Sequence, residues 1–258
     1  MNYMGSKARI AKDIVPIIQK HIDENNIHCY IEPFCGGCNI IDKIKCDKKF
    51  AYDLNKYLIH LLSYVQKGGR LYDDVDKEMY DEARKAYYNN DNSRYMKWEI
   101  GCIGFLASWG GRYFDGGYAK PKWSQTKDKL VYRHYYAEAK RNIEKQASTS
   151  GFKDIVFGIS DYRDLKLEEE KNFKCVIYAD PPYKNTKTYG NSKNFDYDEF
   201  WEIMRKWSEN HIVIISEKEA PSDFECIWEG KRRMTLKKDD NSRIMVERLF
   251  KWKGNNES

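Results

Sequence analysis

The apolar run Cys175-Val176-Ile177-Tyr178-Ala179 is cut off by Asp180-Pro181-Pro182-Tyr183, and this junction constrains the fold more than any other stretch of the chain. A proline has no amide hydrogen to give to a sheet ladder, so two in succession force the strand to end. A strand apolar at every position reads as one covered on both faces, the kind found in parallel sheets. Asp180 to Tyr183 then stand just past the carboxyl end of a central strand, where open α/β sheets hold their ligands. The four residues suit chemistry on an amino group. An exocyclic amine of a nucleobase is a poor nucleophile, because its lone pair is conjugated into the ring. Asp180 and the Pro181 carbonyl can each accept one of its hydrogens and expose the lone pair. Pro182 completes the stop, and the face of Tyr183, rather than its hydroxyl, is expected to carry the extruded base.

Three further blocks precede that corner. Tyr3-Met4-Gly5-Ser6-Lys7 leads, with Ser6 as a cap, into a helix whose Ile10, Ile14, Ile17 and Ile18 repeat at helical spacing. Next, Glu32-Pro33-Phe34-Cys35-Gly36-Gly37-Cys38 runs from a short apolar strand through a glycine turn into a helical stretch from about Asn39 to Lys45. Adjacent glycines let the backbone approach a ligand closely. Third, the strand Phe50-Ala51-Tyr52 ends at Asp53, seventeen residues past Gly36, an offset that suits a carboxylate receiving ribose hydroxyls. Each block alone also fits an ordinary turn, and Lys7 alone a solvated charge. Cys35 and Cys38 have the spacing of a redox pair but no second pair follows, so they read as packing residues.

Taken in order, these blocks resemble the Dam-type DNA adenine methyltransferases, including the branch of bacteriophages and restriction-modification systems, over nearly the whole chain. That family carries an aromatic-x-Gly-x-Lys block, a Glu-Pro-Phe-x-Gly block, an Asp-x-Asn block and Asp-Pro-Pro-Tyr. Here they are Tyr3 with Lys7, Glu32 to Gly36, Asp53-Leu54-Asn55, and Asp180 to Tyr183. The resemblance implies S-adenosylmethionine held by Tyr3, Lys7, the Glu32-Pro33-Phe34 and Gly36 turn, Asp53 and Asp180, with S-adenosylhomocysteine as product and no metal. It also places Asp161 and Tyr162 beside the cofactor's adenine, although Asp161 suits a turn cap equally well. A phage-type block is recognisable in Ser108-Trp109-Gly110-Gly111-Arg112-Tyr113-Phe114-Asp115-Gly116-Gly117-Tyr118-Ala119. One departure stands out: Cys38 replaces the second glycine of the cofactor turn.

Alternating strand and helix signals stop near Lys67. Helical stretches then follow at Asp76 to Tyr88, Arg94 to Ala107 and Thr126 to Ala147, before alternation resumes at Ile155. The expected architecture is a Rossmann-like methyltransferase fold: a mostly parallel sheet with helices on both faces, built from residues 1–68 and 151–258. A helical target-recognition lobe, 69–150, is inserted into it. A helix is expected over Tyr197 to Asn210, a strand at Ile212 to Ile215, and edge strands at Phe224 to Trp228 and Met245 to Trp252. The polar segment Lys184 to Asn194 is expected to order only on DNA.

Charge is nearly balanced, +5 from 45 basic and 40 acidic residues, but unevenly placed. Gly111 to Lys145 holds nine Lys or Arg against four Asp or Glu, as does Glu229 to Lys253, and aromatics interleave both stretches. Such stripes suit a phosphate backbone. Arg112, Tyr113, Tyr118, Lys120 and Lys122 are the residues expected to meet double-stranded DNA from the lobe. Seven scattered cysteines argue against a disulfide framework and for a reducing cytoplasm, and no run is long enough to cross a bilayer. A cognate restriction endonuclease is a possible partner. Methylation of cytosine's exocyclic amine, of adenine in RNA, or an inactive DNA-binding relative are the competing readings.

Overall fold

The computed structural model describes residues 1, 3–125, 129–167, 173–183, 195–234 and 243–254. The Lys184 to Asn194 segment lies outside the described residues. A short 3-10 turn, Lys7–Arg9, is capped by the Ser6 side chain and leads into α1 (Ala11–Glu24), which buries Ile14, Ile18 and Ile22. Then come β1 (Cys29–Glu32), β2 (Lys48–Asp53) and α2 (Lys56–Gln66). Asn55 caps α2 by accepting the amides of Tyr57 and Leu58. The inserted region carries α3 (Lys77–Tyr88), α4 (Lys97–Leu106), β3 (Lys122–Gln125), β4 (Leu130–Arg133) and α5 (Tyr135–Ala147). After α6 (Ser150–Lys153) the chain forms β5 (Ile155–Ile159), β6 (Val176–Ala179), α7 (Tyr197–Asn210), β7 (Ile212–Glu217), β8 (Phe224–Met234) and β9 (Arg243–Trp252).

Among the described residues seven strands form one sheet in the order β5-β2-β1-β6-β7-β9-β8. The five on the β5 side run parallel, and β9 and β8 are antiparallel additions. Every residue of β6 is buried, as its unbroken apolar run requires. From β1 the chain steps one way to β2, and from β6 the other way to β7. The β1/β6 boundary is therefore a topological switch point, which opens a crevice at the strands' carboxyl ends. Helices α1 and α2 pack with the face that carries Tyr30, Val176 and Tyr178, and α7 covers the face that carries Ile177, Ala179 and Val213.

Three expected elements differ. The glycine turn after β1 yields only a 3-10 turn, Ile41–Lys43, in place of a helix over Asn39 to Lys45. The stretch expected as one helix from Thr126 begins with β4, paired to β3, so the helix starts only at Tyr135. Leu130, Val131 and Tyr132 are apolar without helical spacing, which a hairpin accommodates. Finally, the last strand is not an edge. β9 lies between β7 and β8, because its alternating Glu247 and Leu249 both point into the protein.

The inserted region does not build a separate core. Helix α4 is buried from Ile100 to Leu106 and joins Leu58, Leu61 and Leu62 of α2 in one cluster. Gly101 permits this: a Cβ there would stand 2.2 Å from the Tyr57 carbonyl oxygen.

Candidate active site

Asp180 emerges from β6 at the switch point, with its side chain 21% exposed while Lys7 is only 6% exposed. Lys7 Nζ lies 2.7 Å from Asp180 Oδ1 and 3.8 Å from Glu247 Oε2. Burial raises the Asp180 carboxyl above its ordinary value, with Lys7 opposing and Glu247 adding to the rise. The same ammonium sits 4.4 Å from the centre of the Tyr183 ring, covering one of its faces. The Tyr183 hydroxyl donates to Glu247 Oε2 at 2.7 Å and lies 2.9 Å from Ser216 Oγ, so Ser216 donates to it in turn. The Pro182 carbonyl accepts the Tyr197 hydroxyl at 2.6 Å. Pro181 is buried beside it. Glu217 ends β7 at the same rim. It is 4% exposed, and burial pushes its carboxyl up to about 7.

Along the rim toward β5, Asp53 ends β2 and accepts two amides, Gly36 at 3.1 Å and Asn55 at 2.9 Å. One carboxylate thus ties the glycine turn to the start of α2. Gly36 holds φ +45°, and a Cβ there would meet the Tyr3 ring at 2.9 Å, so Tyr3 lies directly against the turn. Burial drives the Tyr3 phenol well above its usual range, and Asp53 adds to this. Glu32 is buried, accepts the Tyr30 hydroxyl, and has its carboxyl raised well above the ordinary value by burial. Pro33 is buried behind it. Phe34 packs on Tyr162 (5.1 Å between ring centres) and on Phe195 (6.0 Å). Leu54, just past the end of β2, and Ile159, which pairs with Asp53, stay 48% and 49% exposed. Asp161 caps its own turn, and Arg163 grips both of its oxygens and holds its carboxyl low. Asp161 thus fills the turn-cap role.

Tyr3, Lys7, Gly36, Asp53 and Asp180, dispersed through the sequence, therefore converge on one crevice. A family model for the D12 class N6 adenine-specific DNA methyltransferases matches residues 3–238. The chain belongs to that family. The family's description implies DNA as its members' substrate and S-adenosylmethionine as their methyl donor. Among curated proteins it is similar to the type II methyltransferase M.FokI of Planomicrobium okeanokoites, at 24% identity over 214 residues. That match covers 75% of this chain, which spans only about 30% of the relative's length.

In this family member the inserted region separates the expected DNA-facing residues into two groups. Arg112, Lys120 and Lys122 are exposed. Tyr113 and Tyr118 turn inward, which corrects the expectation for both. Tyr113 adopts φ +53°, and its ring packs on Phe105 and Tyr87 (4.4 and 4.9 Å). Tyr118 stacks near Tyr80 and donates its hydroxyl to the Val75 carbonyl. Their places at the surface are taken by Trp123 and Tyr132, which face each other across the β3–β4 hairpin at 5.4 Å, both largely exposed. Sequence reasoning missed Tyr132 because it read β4 as part of a helix, and it assigned Trp123 to no element. It also missed Glu247 and Ser216. For Glu247 a signal existed: a charge on the inward phase of the alternating strand Glu247-Arg248-Leu249. Among the described residues no group of His, Cys, Asp and Glu is placed to hold a metal ion, and no helix is long and apolar enough to cross a membrane.

Proposed function

We propose that the chain methylates the exocyclic 6-amino group of adenine at a specific site in double-stranded DNA, with S-adenosylmethionine as donor. The observation that carries this reading is the meeting of Asp180, Lys7 and Tyr183 at the sheet's switch point, one strand away from the turn clasped by Asp53. The residues fit the cofactor. Each Asp53 oxygen accepts one amide and has a second lone pair that suits a ribose hydroxyl, and the half-exposed Leu54 and Ile159 beside it suit a purine face. When bound, S-adenosylmethionine supplies a methyl group on a positively charged sulfur.

The chain's own residues do the rest. Asp180, whose Oδ1 lies on Lys7, accepts one amine hydrogen, and the Pro181 carbonyl receives the second. Because Tyr197 occupies the Pro182 carbonyl, Pro181 is the acceptor left at the corner. Extruding a base costs roughly a few kcal/mol. Stacking at Tyr183 returns about 1–3 kcal/mol, and a charged hydrogen bond about 1.5–3 more. Orientation supplies most of the remaining catalysis. The exposed Arg112, Lys120, Lys122, Trp123 and Tyr132 form the face that meets DNA, with cations for phosphates and aromatic faces for unstacked bases.

The likeness to a type II methyltransferase supports a restriction-modification setting in the bacterial cytoplasm, with a cognate endonuclease as partner. Sequencing DNA for modified bases, after expression in a host lacking its own adenine methylation, tests the whole reading. N6-methyladenine at one short motif is the expected result. Unmodified DNA, or methylated cytosine, would overturn it.

A further inference from the structure

Tyr183 is held at its hydroxyl end by two side chains from other strands, Ser216 of β7 and Glu247 of β9. Glu247 is 6% exposed, and the same oxygen that receives the phenol lies 3.8 Å from Lys7 Nζ. Lys7 therefore bridges two carboxylates, Asp180 closely and Glu247 at the limit of an ion pair. A buried carboxylate is costly unless it is hydrogen-bonded and paired, and this one has both kinds of partner. β9 is an antiparallel addition to the parallel sheet, and its pairing with β7 brings Glu247 to the catalytic corner.

We infer that Glu247 is a positioning residue for methyl transfer: it fixes the plane of Tyr183 through the phenol and shares Lys7 with Asp180, the carboxylate that receives the target amine. The inference rests on the function proposed above and adds a residue to it. Two consequences are separable. The hydrogen bond sets the ring on which the base lies, and any acceptor of similar shape can supply it. The negative charge acts on Asp180. Glu32 on β1, Glu217 on β7 and Glu247 are the carboxyls that face Asp180 and Lys7 is the cation, with the Tyr3, Tyr178 and Tyr183 phenols beside it. Removing the Glu247 charge makes Asp180 ionise at lower pH.

The test uses E247Q, E247A and S216A in the full chain, assayed for kcat across pH on a DNA duplex carrying the methylated motif. E247Q keeps an acceptor for the phenol, so its kcat falls less than that of E247A, while the acid limb moves down by about one pH unit. E247A shows the same displacement and a kcat about tenfold lower, the factor that 1.4 kcal/mol of lost orientation gives. S216A leaves the limb in place. A readout independent of turnover is the NMR resonance of the Tyr183 ring carbon that bears the hydroxyl, in protein labelled with 13C-tyrosine. It should move in E247A. An unmoved acid limb in E247Q, or an unmoved Tyr183 resonance in E247A, overturns the inference. If E247A fails to fold, E247Q decides by its pH profile. Should the wild-type chain methylate no DNA, the proposed function falls, and the Tyr183 resonance alone then decides whether Glu247 positions the ring.

Discussion

The rim of the sheet and the inserted region bury their side chains by opposite means. At the rim Lys7, Asp180, Glu217 and Glu247 crowd together with little water, and each is made tolerable by a neighbour of opposite charge or by holding a proton. In the inserted region the interior is aromatic, with Tyr80 edge to face on Phe114, Tyr113 edge to face on Tyr87 and Tyr87 stacked on Phe114, and the cations Arg112, Lys120 and Lys122 stay in solvent. Charges deep in a low-dielectric site act strongly over short distances, whereas exposed ones act weakly and are screened. The rim is thus suited to chemistry at one atom, and the inserted region to grasping a long anion.

The largest effect should come from the rim. Asp180→Ala removes the amine acceptor and is expected to lower kcat at least about a thousandfold, some 4 kcal/mol, in a transfer assay. Lys7 keeps Glu247 as a partner, so thermal unfolding should remain cooperative. Full activity would break the contrast. In the aromatic region the vulnerable point is packing. Gly101→Ala puts a methyl group 2.2 Å from the Tyr57 carbonyl oxygen. About 3 kcal/mol of stability should be lost in urea denaturation, the upper end for overpacking because backbone must move. A change under about 0.5 kcal/mol would show that α2 and α4 separate freely.

Glu217→Gln sharpens the rim side of the comparison. With its folded carboxyl near 7 against an ordinary 4.5, the folded chain holds the proton more tightly than the unfolded one. The resulting stability is complete below pH 4.5 and lost as pH rises through 7. At pH 8 the amide variant should therefore exceed wild type by on the order of 2 kcal/mol in chemical denaturation, and the gain should vanish near pH 4.5. A gain independent of pH would reject titration as its cause. The smallest effect belongs to the exposed cations. Lys122→Ala should reduce the slope of log K for DNA against log salt by about one, while leaving stability within about 0.5 kcal/mol. An unchanged slope would place Lys122 outside the DNA face.

Much of the fold could be read from sequence wherever a local rule sufficed. The Tyr197 helix was legible end to end because Asp196 caps it and its apolar residues keep helical spacing. The Lys122 to Arg133 hairpin was not, since nothing between its strands enforces a turn strongly enough to outweigh the helical Tyr135 to Ala147 beyond. The strand end at Asp180 was visible through its prolines, and the strand end at Asp53 through the apolar residues before it. Tyr113 and Tyr118 were misplaced because a glycine-rich loop does not reveal which way its rings turn. At Tyr113 a left-handed backbone throws the ring inward.

What the sequence determined by itself was everything set by neighbours along the chain: where strands stop, which residues cap helices, and which blocks share a family's order. Tertiary structure decided the partners of Tyr183, because Ser216 and Glu247 lie 33 and 64 residues away. It also decided the partners of Lys7, a residue that reads as an ordinary surface cation until Asp180 and Glu247 meet it. Local rules act over a few bonds, but a side chain's charge state depends on water being displaced by strands that meet only once the sheet has formed.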